Sequence, residues 1–163
     1  MRDIVILGST GSIGVQALEV IAANPTKFRV VGLSAGSNNL ERLAEQVKKF
    51  SVPIVGTTGD AHSLKSAIPG VEVIDGPDSS RQIASLSCDV VLNGITGSIG
   101  LGPTLAALEV GNKVALANKE SLVAGGDLVM SHGRDRIIPV DSEHSALFQA
   151  MSAGKLSDVE KVI

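Results

Sequence analysis

Three short stretches of this chain combine residue types and spacings that could do chemistry. The first, Gly8-Ser-Thr-Gly11-Ser-Ile-Gly14, follows the apolar run Ile4 to Leu7. Glycines there allow a tight turn and let a pyrophosphate approach the backbone, where the free amides and dipole of a following helix favour its negative charge. The spacing departs from the commoner G-x-G-x-x-G, and an ordinary glycine-rich turn is the competing reading. The second stretch, Ala117-Asn118-Lys119-Glu120-Ser121, also follows an apolar run. A lysine so placed could bind a substrate phosphate or polarise a carbonyl oxygen. A solvated lysine beside a helix start, with Glu120 as its first-turn acid, accounts for it equally well. The third stretch is Ile137-Ile-Pro-Val-Asp141-Ser142-Glu143-His144-Ser145. Carboxylates at i and i+2 of an extended strand end point to the same side and offer oxygen ligands to one hard cation such as Mg²⁺ or Mn²⁺. Here the competing reading is Asp141 or Ser142 as a helix cap with Glu143 in the first turn. Two carboxylates do not complete a metal cage, so a third ligand must lie elsewhere.

The loop after the second apolar run narrows the choice of nucleotide. A carboxylate at that point would grip the ribose diol of NAD, yet Arg29 to Leu40 contains no acid. Gly36-Ser37-Asn38-Asn39 stands there instead, with Arg42 one turn into the next helix. Small donors plus a cation suit a 2′-phosphate, and hence NADP(H). A polar loop capping the helix would explain Asn39 but not the missing acid.

Several other chemistries are excluded. No Gly-Lys-Ser/Thr follows the first strand, so this is not a P-loop. The chain has no tyrosine and so lacks the catalytic residue of short-chain dehydrogenases. Its one cysteine, Cys88, opens a strand rather than closing one, the wrong sheet edge for a semialdehyde dehydrogenase thiol, and reads as a core thiol. One cysteine forms no internal disulfide, and a reducing compartment suits it. A net charge of −3, three Phe and no Trp or Tyr argue against nucleic-acid partners. No apolar run is long enough to span a bilayer. Met1-Arg2-Asp3 leaves no room for a leader before the first strand, so a cytoplasmic location is expected.

Elements must carry these residues to one place. With 163 residues, 44% hydrophobic and 19% charged, a core of ordinary size can be buried. Strands are expected over 3–7, 28–34, 53–57, 71–74, 89–93, 113–117 and 136–140. Helices are expected over 14–23, 40–49, 60–67, 78–86, 103–110, 120–132 and 143–153. Ile13, Ala17, Leu18 and Ile21 share one face of the first helix, which Asn24-Pro25 stops. Leu40, Leu43, Ala44 and Val47 form a buried stripe on the second. Pro103 in the first turn and Gly111 just past the end bracket another. The strands are apolar throughout rather than alternating, as in a parallel sheet covered on both faces. Their alternation with helices predicts an α/β, doubly wound, mostly parallel Rossmann-like sheet. Lys155 to Ile163 reads as a loop and the first residues of another strand, as expected of a piece of something longer.

Gly8-Ser-Thr-Gly-Ser-Ile-Gly14, Ala35-Gly36-Ser37-Asn38, Leu116-Ala-Asn-Lys-Glu-Ser-Leu122 and Pro139-Val-Asp-Ser-Glu-His-Ser145, in this order, resemble the 1-deoxy-D-xylulose 5-phosphate reductoisomerase family. These are NADPH-dependent enzymes of non-mevalonate isoprenoid biosynthesis, and the resemblance covers essentially the whole chain. It implies that Thr10, Gly11, Ser12 and Ile13 hold the NADPH pyrophosphate and adjoining groups, and that Gly36, Ser37 and Asn38 approach the 2′-phosphate. The family often has a basic residue where this chain has Ser37. Asn118 and Glu120 are implied as nicotinamide-side contacts, Lys119 as the substrate-binding and catalytic lysine, and Ser142 and Glu143 as further substrate contacts. Asp141 and Glu143 match two ligands of a divalent metal, Mg²⁺, Mn²⁺ or Co²⁺. The substrate implied is a phosphosugar, and full-length members are homodimers. On this reading residues 1–139 are an NADP-binding domain and 140–163 begin a truncated catalytic domain that is inactive alone. Two alternatives stand beside it: another NADP-dependent reductase with a Gly-x-x-Gly loop, and a non-catalytic NADP-binding module.

Overall fold

The first strand shows why the sheet is covered on both sides. In a computed structural model that describes residues 1–162, β1 (Arg2–Leu7) is buried from Ile4 onward. Successive side chains of a strand point to opposite faces. Ile4 and Ile6 therefore join one core with Leu18 and Ile21 of α1 (Ser12–Ala22) and Leu43 and Val47 of α2 (Leu40–Phe50). Val5 and Leu7 join the other, with Ile83 of α4 (Ser79–Ala84) and Ala106, Ala107 and Leu108 of α5 (Leu101–Glu109). Because each face has its own apolar partner, the strand needs no polar alternation.

The remaining elements repeat this unit. They are β2 (Phe28–Ala35), β3 (Ile54–Thr57), α3 (Ala61–Ala67), β4 (Glu72–Asp75), β5 (Val90–Asn93), β6 (Lys113–Leu116), α6 (Glu120–Ser131), β7 (Ile137–Pro139) and α7 (Ser142–Met151). Seven strands form one sheet in the order β4-β3-β2-β1-β5-β6-β7, and every neighbouring pair is parallel. The chain winds outward from β1 to β4 and then restarts on the other side at β5. The switch between β1 and β5 opens a crevice at the carboxyl ends of the strands, where doubly wound sheets bind ligands.

The seven strands and seven helices expected up to residue 153 are present, with differences at their ends. α5 begins at Leu101, on a 3₁₀ turn at Ser98–Gly100, so Pro103 lies third in the helix; Gly111 follows its end at φ +92°. α6 is interrupted at Gly125 (φ −140°, ψ 31°), where a Cβ would come within 2.8 Å of Leu101 Cδ1. Close approach of two helices explains that break in helical geometry. The expected strand start after Lys155 is not found among the described residues: a 3₁₀ turn spans Leu156–Asp158 and no strand follows, while Ile163 lies outside the described residues. Among the described residues no helix is long and apolar enough to cross a membrane.

Leu33, on β2, is fully buried. Leu33→Ala should lower the unfolding free energy by about 2–5 kcal/mol in urea titration, through lost burial and the cavity left behind. Val20→Ala, on the 58%-exposed side of α1, should stay within about 0.5 kcal/mol.

Candidate functional site

Where β1 ends, three backbones crowd together. Gly8 has φ +74°, and a Cβ on it would lie 2.9 Å from the Gly94 carbonyl oxygen. Gly14 packs α1 onto the loop so closely that its Cβ would sit 2.5 Å from Gly8 O and from Ser9 Cα. The amides of Gly8 and Ser9 both donate to Ser34 O at 2.9 Å, tying the loop to the end of β2. Gly11 is exposed, and its amide donates to Gly8 O at 3.0 Å, so it would serve a ligand by lacking a side chain rather than as a donor. α1 has no side-chain cap, and among the described residues nothing accepts from the amides of Ser12 and Ile13. Two free amides at the start of an eleven-residue helix suit an anionic diphosphate.

Sequence reading missed the groups that brace this loop. Gln46 is buried on α2, where its Nε2 donates to Ser9 O at 2.9 Å and its Oε1 accepts from Ser9 Oγ at 2.8 Å. The available signal was a glutamine three residues after Leu43, on the helix's apolar stripe. On the far side of the switch point, the buried Asn93 donates through Nδ2 to Gly100 O (2.9 Å) and Thr104 Oγ1 (2.8 Å), and its Oδ1 accepts from the Ile95 amide. It thereby shapes the Gly94–Gly100 loop.

Between these braced loops lies a cleft of about 470 Å³, lined by Gly8, Gly11, Gly36, Thr58, Arg81 and Ile95 among others. Gly36 is therefore in the cleft. Ser37 and Asn39 line an adjoining groove with Arg42, and Asn38 is exposed beside them. The Thr10 carbonyl accepts from Arg42 Nη1 at 3.5 Å. Asn39 starts α2 in the left-handed conformation (φ 61°, ψ 44°) with no side-chain capping bond, so the capping explanation for it does not hold.

Lys119 and Asp141 meet in a second cleft of about 250 Å³, with Leu116, Pro139, His144 and Phe148. The first cleft's lining contains none of Asn118, Lys119, Glu120, Asp141 and Glu143. Asn118 links the two. Its Nδ2 donates to Ile95 O and, at 2.8 Å, to Gly97 O, while its Oδ1 accepts from Ser121 N (2.7 Å) and Ser121 Oγ (2.5 Å). With every side-chain site used, Asn118 pins the Gly94–Gly100 loop and starts α6; Glu120 is exposed.

Asp141 and Glu143 do not share one side of an extended strand end. β7 closes at Pro139 and α7 begins at Ser142, so Glu143 already lies in a helical turn and period-2 geometry no longer applies. Asp141 caps α7: its carboxylate accepts from the His144 amide at 3.5 Å, and His144 Nδ1 lies 2.5 Å from Asp141 Oδ2. Partial burial pushes the Asp141 carboxyl up, but the bonds from His144 outweigh it and hold the group below its ordinary value. Glu143 is also held low, by its own amide, the Ser142 hydroxyl (2.9 Å) and the charge of Lys119. Both are anionic oxygen donors, as a hard cation requires. Among the described residues no three His, Cys, Asp or Glu side chains are grouped so as to hold a metal ion.

Cys88 precedes β5 at the amino edge of the sheet, away from both clefts. Burial pushes its thiol up to about 11, the reverse of an activated nucleophile.

A doubly wound parallel sheet with a glycine cleft at its switch point, and a lysine and carboxylates at the same edge, defines a Rossmann-like α/β protein. The family model of 1-deoxy-D-xylulose 5-phosphate reductoisomerase matches residues 4–126. The protein of that name from Beutenbergia cavernae is 52% identical over 170 residues, covering 99% of this chain and 43% of its own. The solved Zymomonas mobilis 1-deoxy-D-xylulose 5-phosphate reductoisomerase in complex with NADPH superposes with a TM-score of 0.85 at 37% identity, covering 91% of this chain and 41% of its own. A solved DOX-P reductoisomerase in complex with NADPH, fosmidomycin and magnesium gives a TM-score of 0.85 at 33% identity, covering 94% of this chain and 40% of its own. The chain belongs to the 1-deoxy-D-xylulose 5-phosphate reductoisomerase family. It spans less than half the length of the relatives it matches.

Gln46→Ala leaves the Ser9 carbonyl and hydroxyl buried without partners, so it should cost about 1–3 kcal/mol in urea unfolding. For Cys88, the neutral thiol is favoured by the fold, so the associated stability is complete below the ordinary thiol value of 9.0 and is lost as pH rises through about 11. Alkylation by iodoacetamide near neutral pH should accordingly be much slower in the folded chain than in denaturant.

Proposed function

We propose that this chain is the coenzyme-binding part of a reductoisomerase that converts 1-deoxy-D-xylulose 5-phosphate to 2-C-methyl-D-erythritol 4-phosphate with NADPH and a divalent cation, in the cytoplasm. The observation that carries this reading is the braced glycine loop, with two unpartnered helix amides at the carboxyl edge, in a chain of that family. Residues 1–139 form the NADP-binding unit on this reading, and 140–163 begin the catalytic one.

In such a reaction NADPH supplies the hydride, and a divalent cation supplies Lewis acidity toward the substrate's oxygens. The residues of this chain bind and orient. Ser12 and Ile13 present their amides to the diphosphate, Gly8, Gly11 and Gly14 let it approach, and Thr10 borders it. Gly36, Ser37 and Asn38 border the adenosine ribose. Asn118 fixes the loop beside the nicotinamide end through its bonds to Ile95 and Gly97, with Glu120 next to it. Lys119 offers a cation to a phosphosugar, holding substrate and countering negative charge on its oxygens. Asp141 and Glu143 are two ligands of the cation, with Ser142 and Glu143 facing substrate.

Two carboxylates without companions hold a divalent ion weakly. The isolated chain should therefore quench or shift NADPH fluorescence in a saturable titration, yet give no 1-deoxy-D-xylulose 5-phosphate-dependent loss of absorbance from NADPH in the presence of Mg²⁺ or Mn²⁺. Absence of NADPH binding overturns the coenzyme assignment, and clear turnover overturns the incompleteness of the site.

A further inference from the structure

We propose that Arg42 is the specificity-determining cation of this chain, receiving the adenosine 2′-phosphate in place of a charge in the Gly36–Asn39 loop. The inference rests on the coenzyme reading above and adds the group that separates NADPH from NADH.

Reach limits where the 2′-phosphate can lie. A diphosphate on the amides of Ser12 and Ile13 places the adenosine ribose one methylene away. β2 is the next strand over from β1, in register Leu7 with Ser34, and adjacent strands lie ~4.8 Å apart. The ribose therefore falls at the carboxyl end of β2, where Gly36 and Ser37 follow Ala35. No cation stands in that loop: its residues are Gly36, Ser37, Asn38 and Asn39.

Arg42 stands where the loop's charge is missing. Its guanidinium borders the diphosphate loop, with Nη1 3.5 Å from Thr10 O, and also lines the groove formed with Ser37 and Asn39. It is exposed, and among the described residues it makes no ion pair. Its fork of donors is thus left with one long contact to a carbonyl, although guanidinium is suited to planar recognition of phosphate. Asn39 reinforces the arrangement. It adopts a left-handed conformation without capping α2, and its residue borders the same groove.

The other charges of the groove are Glu41 and Glu45. Without Arg42, a dianionic phosphate in this groove would meet two carboxylates and no cation, since Arg81 lines the neighbouring cleft instead. Arg42 is the group that makes the groove receptive to it, so its removal should affect NADPH far more than NADH.

Equilibrium titrations of the unaltered chain, Arg42→Ala and Lys48→Ala with NADPH and with NADH test this. Lys48 lies in the last turn of the same helix, and its loss changes net charge equally. The expected result is that Arg42→Ala raises the Kd for NADPH roughly 10- to 100-fold, the range of a charge-assisted hydrogen bond, and the Kd for NADH less than about 2-fold. Lys48→Ala should change neither appreciably. Unchanged NADPH binding by Arg42→Ala overturns the proposal. Equal losses for both coenzymes also overturn it, because they would mean that Arg42 only props the Thr10 loop. So do equal losses in Arg42→Ala and Lys48→Ala, which would mean general electrostatics. If the unaltered chain binds neither coenzyme, the parent reading fails and the proposal falls with it.

Discussion

Most of this molecule's architecture answers to one steric constraint, the meeting of three backbones where β1 ends. A methyl group on Gly14 would overlap Gly8 O and Ser9 Cα at 2.5 Å, and one on Gly8 would press on Gly94 O at 2.9 Å. Real Cβ atoms do not come so close, so α1 can enter directly beneath the loop only if both positions lack one. That entry leaves the Ser12 and Ile13 amides at the mouth of the helix and holds β1 against β5 at the switch point. The neighbouring polar groups secure the same junction. Ser34 O takes two amides from the loop, Gln46 grips the carbonyl and the hydroxyl of Ser9, and Asn93 shapes the opposing loop.

Covering both sheet faces also decides where chemistry can occur. The faces are filled by two apolar cores, so polar groups that meet ligands are confined to the strand ends. The two ends differ. At the amino edge, Asp3 is bridged to Arg29 at 2.6 Å and Cys88 is a half-buried, unreactive thiol. At the carboxyl edge lie the helix amides, Lys119, Asp141 and the groove beneath Arg42. A parallel sheet thus gathers at one rim residues that are far apart in sequence.

The fold was legible because each strand carries an unbroken apolar run and each helix a periodic one, signals that lie within the element itself. Gly8, Gly11 and Gly14 were legible for a similar reason, since their spacing is local and only glycine meets the steric demand. Gln46 and Asn93 were not, because their value comes from partners: Gln46 bonds to a residue 37 positions away. Asn118 illustrates a different limit. Its position was identified, but its side chain is consumed by four protein hydrogen bonds that no motif reveals. For Asp141 and Glu143 the residues were legible but their backbone was not: an extended strand end through Glu143 is a local reading, whereas Asp141 caps a helix that begins at Ser142.

The two halves of the site are built differently. Buried contacts at Ser9 and Gly14 anchor the glycine loop, so its amides are placed before any ligand arrives, which lowers the ordering cost of binding. α7 has no buried residue; Leu147 is 39% and Phe148 50% exposed. Glu143 therefore lacks such packing, whereas Asp141 follows Val140, which packs on the core and donates its amide to Leu116 O at 3.0 Å. Both bonds from His144 go to Oδ2 of the Asp141 carboxylate, so a cation on that oxygen must share it with His144. A coenzyme-binding loop can be complete within these residues because its donors are backbone groups held by the core. A cation site made of side chains on an unburied helix gains rigidity only from further contacts, and so the two carboxylates are the part of the site least determined by the chain around them.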